Sequence, residues 1–190
     1  MYAQRKVLNL GCGNNLIKYA WNVDITKGEG VDEVFDLTKF PWKWESESIE
    51  KIYLVHVLEH FKDQEAVINE CYRILKRGGL LEIVVPHSSS CMSIGCMGHY
   101  RTYSYDTLRD YLSRPFYMFK VKKFETIKQE LRWWYGRPTV NIPKWMLWGI
   151  IYPMKMIIQP LINLSPRVFE NGWCYWVGGA REVLFIGRKV

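Results

Sequence analysis

The sequence predicts an α/β fold: a mostly parallel sheet with helices on both faces. Three observations carry this expectation. Short apolar runs recur along the first half of the chain. An amphipathic stretch at 64–76 lies between two of them, 50–55 and 80–85. Strand and helix signals therefore alternate, and parallel neighbours need helical crossovers. With 190 residues, 48% hydrophobic and 24% charged, the chain is long enough for one core and too apolar for disorder. A single domain, 1–190, is expected.

The first strand, 6–10, contains Val7 to Leu10 and runs into Gly11-Cys12-Gly13. A strand ending in Gly-x-Gly lets the main chain approach a ligand closely, because glycine has no side chain in the way. No third glycine follows at dinucleotide spacing, and no Gly-Lys-Ser/Thr follows either. What remains is a turn suited to a nucleoside and an amino-acid carboxylate without a pyrophosphate. The second strand, 21–24, ends in Asp24, which can accept from both ribose hydroxyls. The third, 33–36, ends in Asp36, followed by Leu37, beside the expected position of an adenine amino group. One Asp after an apolar run is usually a turn or cap residue. Two at successive strand ends after a glycine turn point to a ligand site.

The remaining elements follow in order. Strands are expected at 50–55 and 80–85, with a helix at 64–76 that stops at Gly78-Gly79. A second helix is expected to start at Ser104, as its capping residue. Phe119–Phe124 and Glu182–Gly187 read as strands. Residues 134–178 break the pattern with Pro138, Pro143, Pro153, Pro160 and Pro166. The apolar stretches between these prolines predict an insertion of short helices between the last two strands. Two roles stay open for it. One is a lid or extra core layer. The other is a monotopic contact with an anionic membrane, since Trp, Tyr, Met and Ile flanked by Lys144 and Lys155 suit the lipid interface. No run of about 18 apolar residues predicts a spanning helix.

Charge divides the chain. Residues 1–95 hold 11 basic and 13 acidic side chains, net −2; residues 96–190 hold 15 and 6, net +9. The basic excess is either a solvated face or a surface for an anionic partner such as lipid, glycan or nucleic acid. Five irregularly spaced cysteines and no export signal lead us to expect reduced thiols and a cytoplasmic protein, attached or not to the inner face of a membrane.

Taken in order, Leu8-Asn9-Leu10-Gly11-Cys12-Gly13, Asn22-Val23-Asp24, Asp36-Leu37, Pro41, His56-Val57-Leu58-Glu59-His60-Phe61 and Glu70 to Pro86 resemble the S-adenosylmethionine-dependent methyltransferases of the Rossmann-like class. The likeness spans roughly the first 110 residues. It implies a seven-stranded sheet with an antiparallel last strand. It also implies S-adenosylmethionine as cofactor, with Gly11, Cys12 and Gly13 admitting it, Asp24 at the ribose and Asp36 with Leu37 at the adenine. The link from Gly13 to Asp24 is short, so the family's first helix must be abbreviated.

If the methyl acceptor is a hydroxyl, a base must take its proton, and neutral histidine suits that. The chain has four: His56, His60, His87 and His99. On the family reading His56 sits nearest the transferred methyl, and Glu59 and His60 are structural. The segment with His99, Arg101 and Tyr103 resembles one in sugar and cell-surface glycan methyltransferases. His99 as base and Arg101 as ligand for an anion or hydroxyl is the preferred assignment, against a structural pair bracing the loop. Two zinc patterns also occur, His56-x2-Glu59-His60 and His87-x3-Cys91-x4-Cys96-x2-His99. The first does not lie in a helix and the second fits no known knuckle, so no metal is expected. The expected activity is O-methylation of a sugar or glycan intermediate. Alternatives are a lipid or small anionic metabolite as acceptor, or a catalytically silent docking module. Nucleic acid is disfavoured, because no Asn/Asp-Pro-Pro-Tyr/Phe motif follows the fourth strand.

Overall fold

The computed structural model describes residues 6–114, 124–133, 143–174 and 179–190. Its apolar runs pair into seven strands: β1 (Val7–Leu10), β2 (Trp21–Asp24), β3 (Glu33–Val34), β4 (Ile49–Val55), β5 (Leu75–Pro86), β6 (Phe124–Arg132) and β7 (Glu182–Lys189). They form one sheet in the order β3-β2-β1-β4-β5-β7-β6. β7 lies antiparallel to both β5 and β6, and the strands from β3 through β5 are mutually parallel. The helices are α1 (Gln64–Ile74), α2 (Cys91–Ile94), α3 (Thr107–Ser113), α4 (Lys144–Met146), α5 (Tyr152–Leu164) and α6 (Pro166–Val168). This is the Rossmann-like arrangement expected from the sequence. Leu8, Leu10, Ile52, Leu54, Leu81 and Ile83 are fully buried along the central strands. Each contributes about 1.5–3 kcal/mol by leaving water. The order in which strands are added reverses between β1 and β4, and this switch point opens a crevice at the strands' carboxyl ends.

Several expected boundaries shift, each for a local reason. The helix at 64–76 ends at Ile74, and β5 begins at once with Leu75. Leu75 is extended (φ −69°, ψ 138°) and buried, and it pairs with Ile49. Gly78-Gly79 therefore lies within a strand. The helix's last carbonyls are satisfied instead by the main-chain N–H groups of Glu47, bonded to Arg73, and Ser48, bonded to Ile74. The helix expected from Ser104 starts at Thr107, whose Oγ1 accepts from the Ser104 N–H (2.9 Å) and closes a turn ahead of it. β3 has two residues, because Asp36 already folds back onto Thr38. The strand expected at Phe119–Phe124 lies outside the described residues up to Phe124, where β6 begins.

Between β1 and β2 there is no helix. Two buried amides hold the link. Asn9 Nδ2 donates to Asn22 Oδ1 (2.8 Å) and to the Asn15 carbonyl (2.7 Å). Asn22 Oδ1 also accepts from the Ile17 N–H (2.9 Å), and the Asn22 N–H donates to Asp32 (2.9 Å). These bonds satisfy main-chain groups that a helix would otherwise satisfy for itself.

The described part of the insertion, 143–174, lies between β6 and β7 and is helical. α5 lies along β6, the last strand of the sheet, through polar side chains one helical turn apart. Gln159 Oε1 accepts from the Trp133 N–H (3.0 Å); Asn163 Oδ1 accepts from the Leu131 N–H (2.8 Å), and its Nδ2 donates to the Leu131 carbonyl (2.8 Å). Exposed sheet edges invite unwanted pairing, and this contact covers one. Ile162 is the one buried apolar side chain of α5.

Removing the buried amide should therefore loosen the β1–β2 link. Asn22→Ala should cost roughly 2–3 kcal/mol, the scale of several orphaned buried polar groups. Urea denaturation checks this, and an unchanged midpoint would mean that the amide network is dispensable.

Candidate functional site

The carboxyl ends of β1, β2 and β4 open onto a cavity of about 330 Å³ whose walls include Gly11, Asp24, Asp36, Leu37, His56 and His60. Its floor depends on glycine. Gly11 has φ +66°, and a Cβ there would stand 2.5 Å from Val57 Cγ2. Gly13 has φ +47° and faces open space, so main chain is presented there without a side chain.

The two aspartates meet the cavity in different ways. Asp24 Oδ2 accepts from the Gly13 N–H (2.8 Å) and Oδ1 from the Thr26 N–H (3.0 Å). It locks the glycine turn while each oxygen keeps a lone pair for a ligand hydroxyl. Asp36 Oδ1 accepts from the Thr38 hydroxyl (2.7 Å) and N–H (3.0 Å). Those bonds hold its carboxyl below the usual carboxylate range. The Leu37 carbonyl accepts from Trp42 Nε1 (3.0 Å), which fixes the main chain beside Asp36. Cys12 does not line the cavity. Its side chain is buried in the core, and burial, with the charge of Asp24 behind it, pushes the thiol up to about 11. Only its main chain is available to a ligand, because the tight turn directs the side chain inward.

His56 has φ +56°, and its ring lies between two buried carboxylates. Nε2 donates to Glu182 Oε1 (3.0 Å), and Nδ1 stands 3.4 Å from Glu59 Oε1. Burial opposes the charge, but the two carboxylates outweigh it and raise His56 to about 9. With both nitrogens turned to carboxylates, the ring has no lone pair to give. This corrects the expectation that His56 could act as a base. His87 is also excluded by its bonds. It is buried, with Nδ1 at Ser89 Oγ (2.7 Å) and Nε2 at Glu170 Oε1 (2.7 Å), and it ties the insertion to the end of β5.

The other two histidines meet. The His60 and His99 rings pack edge to face at 4.7 Å. His60 Nδ1 lies 3.1 Å from the Gly98 carbonyl and His99 Nδ1 lies 3.3 Å from that of Ser93. The Tyr100 N–H donates to the Glu59 carbonyl (2.8 Å), which fastens this loop to the turn Leu58–His60. His60, expected to be structural, lines the cavity, and His99 packs against its ring. The only signal in the sequence was its position after a strand end.

A second cavity, of about 340 Å³, lies between the start of α1 and α3. Asp63, Glu65, Arg101, Tyr103, Asp110 and Tyr111 are among its walls. A groove lined by His60, Phe61, Lys62 and Asp63 shares walls with both cavities. Arg101 thus stands on the second cavity, one groove away from the first.

Comparison with known proteins agrees with this geometry. Residues 8–83 match the family model of a methyltransferase domain. No curated protein matches the sequence. Among solved structures, the chain resembles a SAM-dependent methyltransferase from Archaeoglobus fulgidus, at 15% identity and a TM-score of 0.59, over 97% of this chain and 86% of that one. It also resembles an S-adenosylmethionine-dependent methyltransferase from Mesorhizobium loti, at 14% identity and a TM-score of 0.55, over 97% and 90%. At such identities the likeness speaks for the fold. The residues fit the cofactor on their own terms: a glycine turn open to a ligand, and two carboxylates with free lone pairs on one cavity. The fold, the methyltransferase-domain match over residues 8–83 and the cradle support S-adenosylmethionine-dependent methyl transfer, with S-adenosylmethionine as the cofactor.

Proposed function

We propose that the chain transfers the methyl group to a hydroxyl of a sugar or glycan intermediate. S-adenosylmethionine supplies a methyl on a sulfonium, an electrophile that needs no further activation. The protein's tasks are to hold the donor, align the acceptor and receive a proton. Asp24 and Asp36 do the first. The carboxylates Asp63, Glu65 and Asp110 accept from acceptor hydroxyls, Arg101 donates to them, and Tyr111 offers a ring face for the apolar side of a sugar. The observation that carries the reading is His60 in the groove between the two cavities, with the His99 ring packed against it. It is an imidazole cluster beside the donor cavity whose rings are not clamped between carboxylates.

We further propose that the insertion attaches the protein to an anionic membrane at its cytoplasmic face. No helix among the described residues is long and apolar enough to cross a membrane. The support is the outer surface of the insertion. Trp145 and Trp148 are 68% and 67% exposed, and Met156, Ile157, Leu161, Leu164 and Val168 are exposed with them. A lid would pack those tryptophans against the sheet; here they face outward. The basic contribution is smaller than the sequence suggests. Arg167 bonds Asp106 (2.7 Å), Arg132 faces Glu130 (3.3 Å), and Arg137 lies outside the described residues. Apolar insertion should therefore outweigh electrostatics.

Asp24→Ala should weaken S-adenosylmethionine binding by roughly 1.5–3 kcal/mol, or about 10–150-fold. Calorimetry on a folded variant decides; unchanged affinity removes Asp24 from the ribose. His99→Ala should slow turnover by roughly 10²–10⁴-fold with donor affinity nearly intact. Single-turnover assays with labelled donor and a panel of glycan intermediates measure this, and a near wild-type rate means that the acceptor needs no base from this cluster. In liposome co-sedimentation, binding to anionic vesicles should survive most of a salt titration. It should be lost in Trp145→Ala/Trp148→Ala; absence of binding at low salt rejects the membrane reading.

A further inference from the structure

The two zinc patterns of the sequence do not close in the fold. His56 is held by Glu182, and His87 by Ser89 and Glu170. What folds together is part of each: Glu59 and His60 from the first, His99 from the second. One ligating atom of each lies within 4.8 Å of the others. We propose that Glu59, His60 and His99 bind one divalent transition-metal ion of the zinc class.

Three features support it. The first is the carboxylate. Glu59 is 1% exposed, and neither of its oxygens has a hydrogen-bond partner. Its neighbour His56 stands at 3.4 Å, shared with Glu182. His56 reaches only Oε1, and shares its charge with Glu182, so Oε2 is left without a donor and a second cation would complete the buried carboxylate. The second is the imidazoles. In both rings Nδ1 faces a main-chain carbonyl, Gly98 for His60 and Ser93 for His99. The assigned tautomer therefore has the proton on Nδ1 and the lone pair on Nε2, the arrangement in which metal-binding histidines are usually held. The third is distance. Two ligands about 2.0–2.2 Å from one zinc ion stand at most roughly 4.4 Å apart. Ligating atoms within 4.8 Å of one another lie close to that separation, so a small adjustment of the three side chains closes the site.

Two imidazoles and one carboxylate suit zinc and leave an open fourth position, as in catalytic zinc sites. The ion's role, unlike its binding, rests on the hydroxyl-acceptor reading. With the ion in place, the rings act as its ligands, and a bound water releases its proton to solvent near neutral pH. A hydroxide formed there would take the proton of the acceptor hydroxyl and become water, while the acceptor oxygen bonds the methyl, the sulfur–methyl bond breaks and S-adenosylhomocysteine leaves with the electron pair.

Binding can be measured without any acceptor. The full chain, stripped with a chelator and dialysed, is titrated with Zn²⁺ against a chromophoric competitor, and with Co²⁺ by its visible absorption. One ion per chain is expected. His99→Ala and Glu59→Gln should each weaken Zn²⁺ binding by more than the roughly 10–100-fold that loss of an outer partner costs. His99 is a partly exposed loop residue, so its variant tests the site even where Glu59→Gln lowers stability. Cys91→Ser/Cys96→Ser should retain the ion. No uptake by the wild type overturns the site. So does binding that survives both ligand variants, or binding lost only with the two cysteines. Uptake of one ion together with a normal rate in His99→Ala keeps the site and rejects the hydroxyl-acceptor reading.

Discussion

Two carboxylates almost without water, Glu59 and Glu182, constrain everything at the ligand edge of this sheet. A buried charge is tolerated only when it is paired or hydrogen-bonded, and neither residue can leave. Glu182 begins β7 and pairs with Pro86 at the end of β5; Glu59 lies in the turn that leaves β4. The protein places one cation between them. His56, in a backbone conformation that few side chains adopt, turns both ring nitrogens to carboxylates. Arg132 approaches Glu182 from β6 at 3.8 Å. Two strands and a turn thus converge on one electrostatic arrangement, and breaking it from one side would strand a charge. The same arrangement removes His56 from proton chemistry and leaves Glu59 undersatisfied on the side of His60 and His99.

The donor cavity depends on a different device. The turn after β1 has no helix behind it, so nothing repetitive holds it in shape. Asn9 and Asn22 take that role from below, and Asp24 from the side. Asp24 serves two purposes with the same atoms. One lone pair on each oxygen fixes the main chain at Gly13 and Thr26, and the others remain for a ligand. Preorganisation of this kind lowers the ordering cost of binding.

Much of this was legible in the sequence, and the reason is periodicity. Buried parallel strands leave apolar runs, and their ends carry glycine and aspartate. Gly11, Gly13, Asp24, Asp36 and Leu37 could thus be placed before any coordinates: Gly11, Asp24, Asp36 and Leu37 line the cavity, and Gly13 is bonded to Asp24 beside it. What could not be read was pairing between distant segments. Nothing in Asn9 or Asn22 announces a buried amide bridge. Nothing in the spacing of four histidines says that 60 meets 99 while 56 meets Glu182, 126 residues away. Boundaries shifted where tertiary contacts displaced local signals. Gly78-Gly79 reads as a helix stop, yet Leu75 pairing with Ile49 starts the strand before it. For Cys12 the position in the turn was legible, but the inward direction of its side chain was not.

The insertion shows how covering an edge can create a surface. β6 is the last strand of the sheet, and its unpaired side needs a partner. α5 meets that need with Gln159 and Asn163, whose amides both donate to and accept from the strand's main chain. A helix that docks through amides buries little of its own apolar surface, and here Ile162 alone is buried. Its remaining apolar residues must face elsewhere, although the helix is anchored at its far end by His87–Glu170 and Arg167–Asp106. An apolar face this broad on an anchored element is the observation on which the membrane proposal rests. The tryptophans stand on α4 and the helical turn leading into α5, while the His87–Glu170 tether lies beyond α5. The face thus stands on an arm tied through His87 to the end of β5, the strand beside β4.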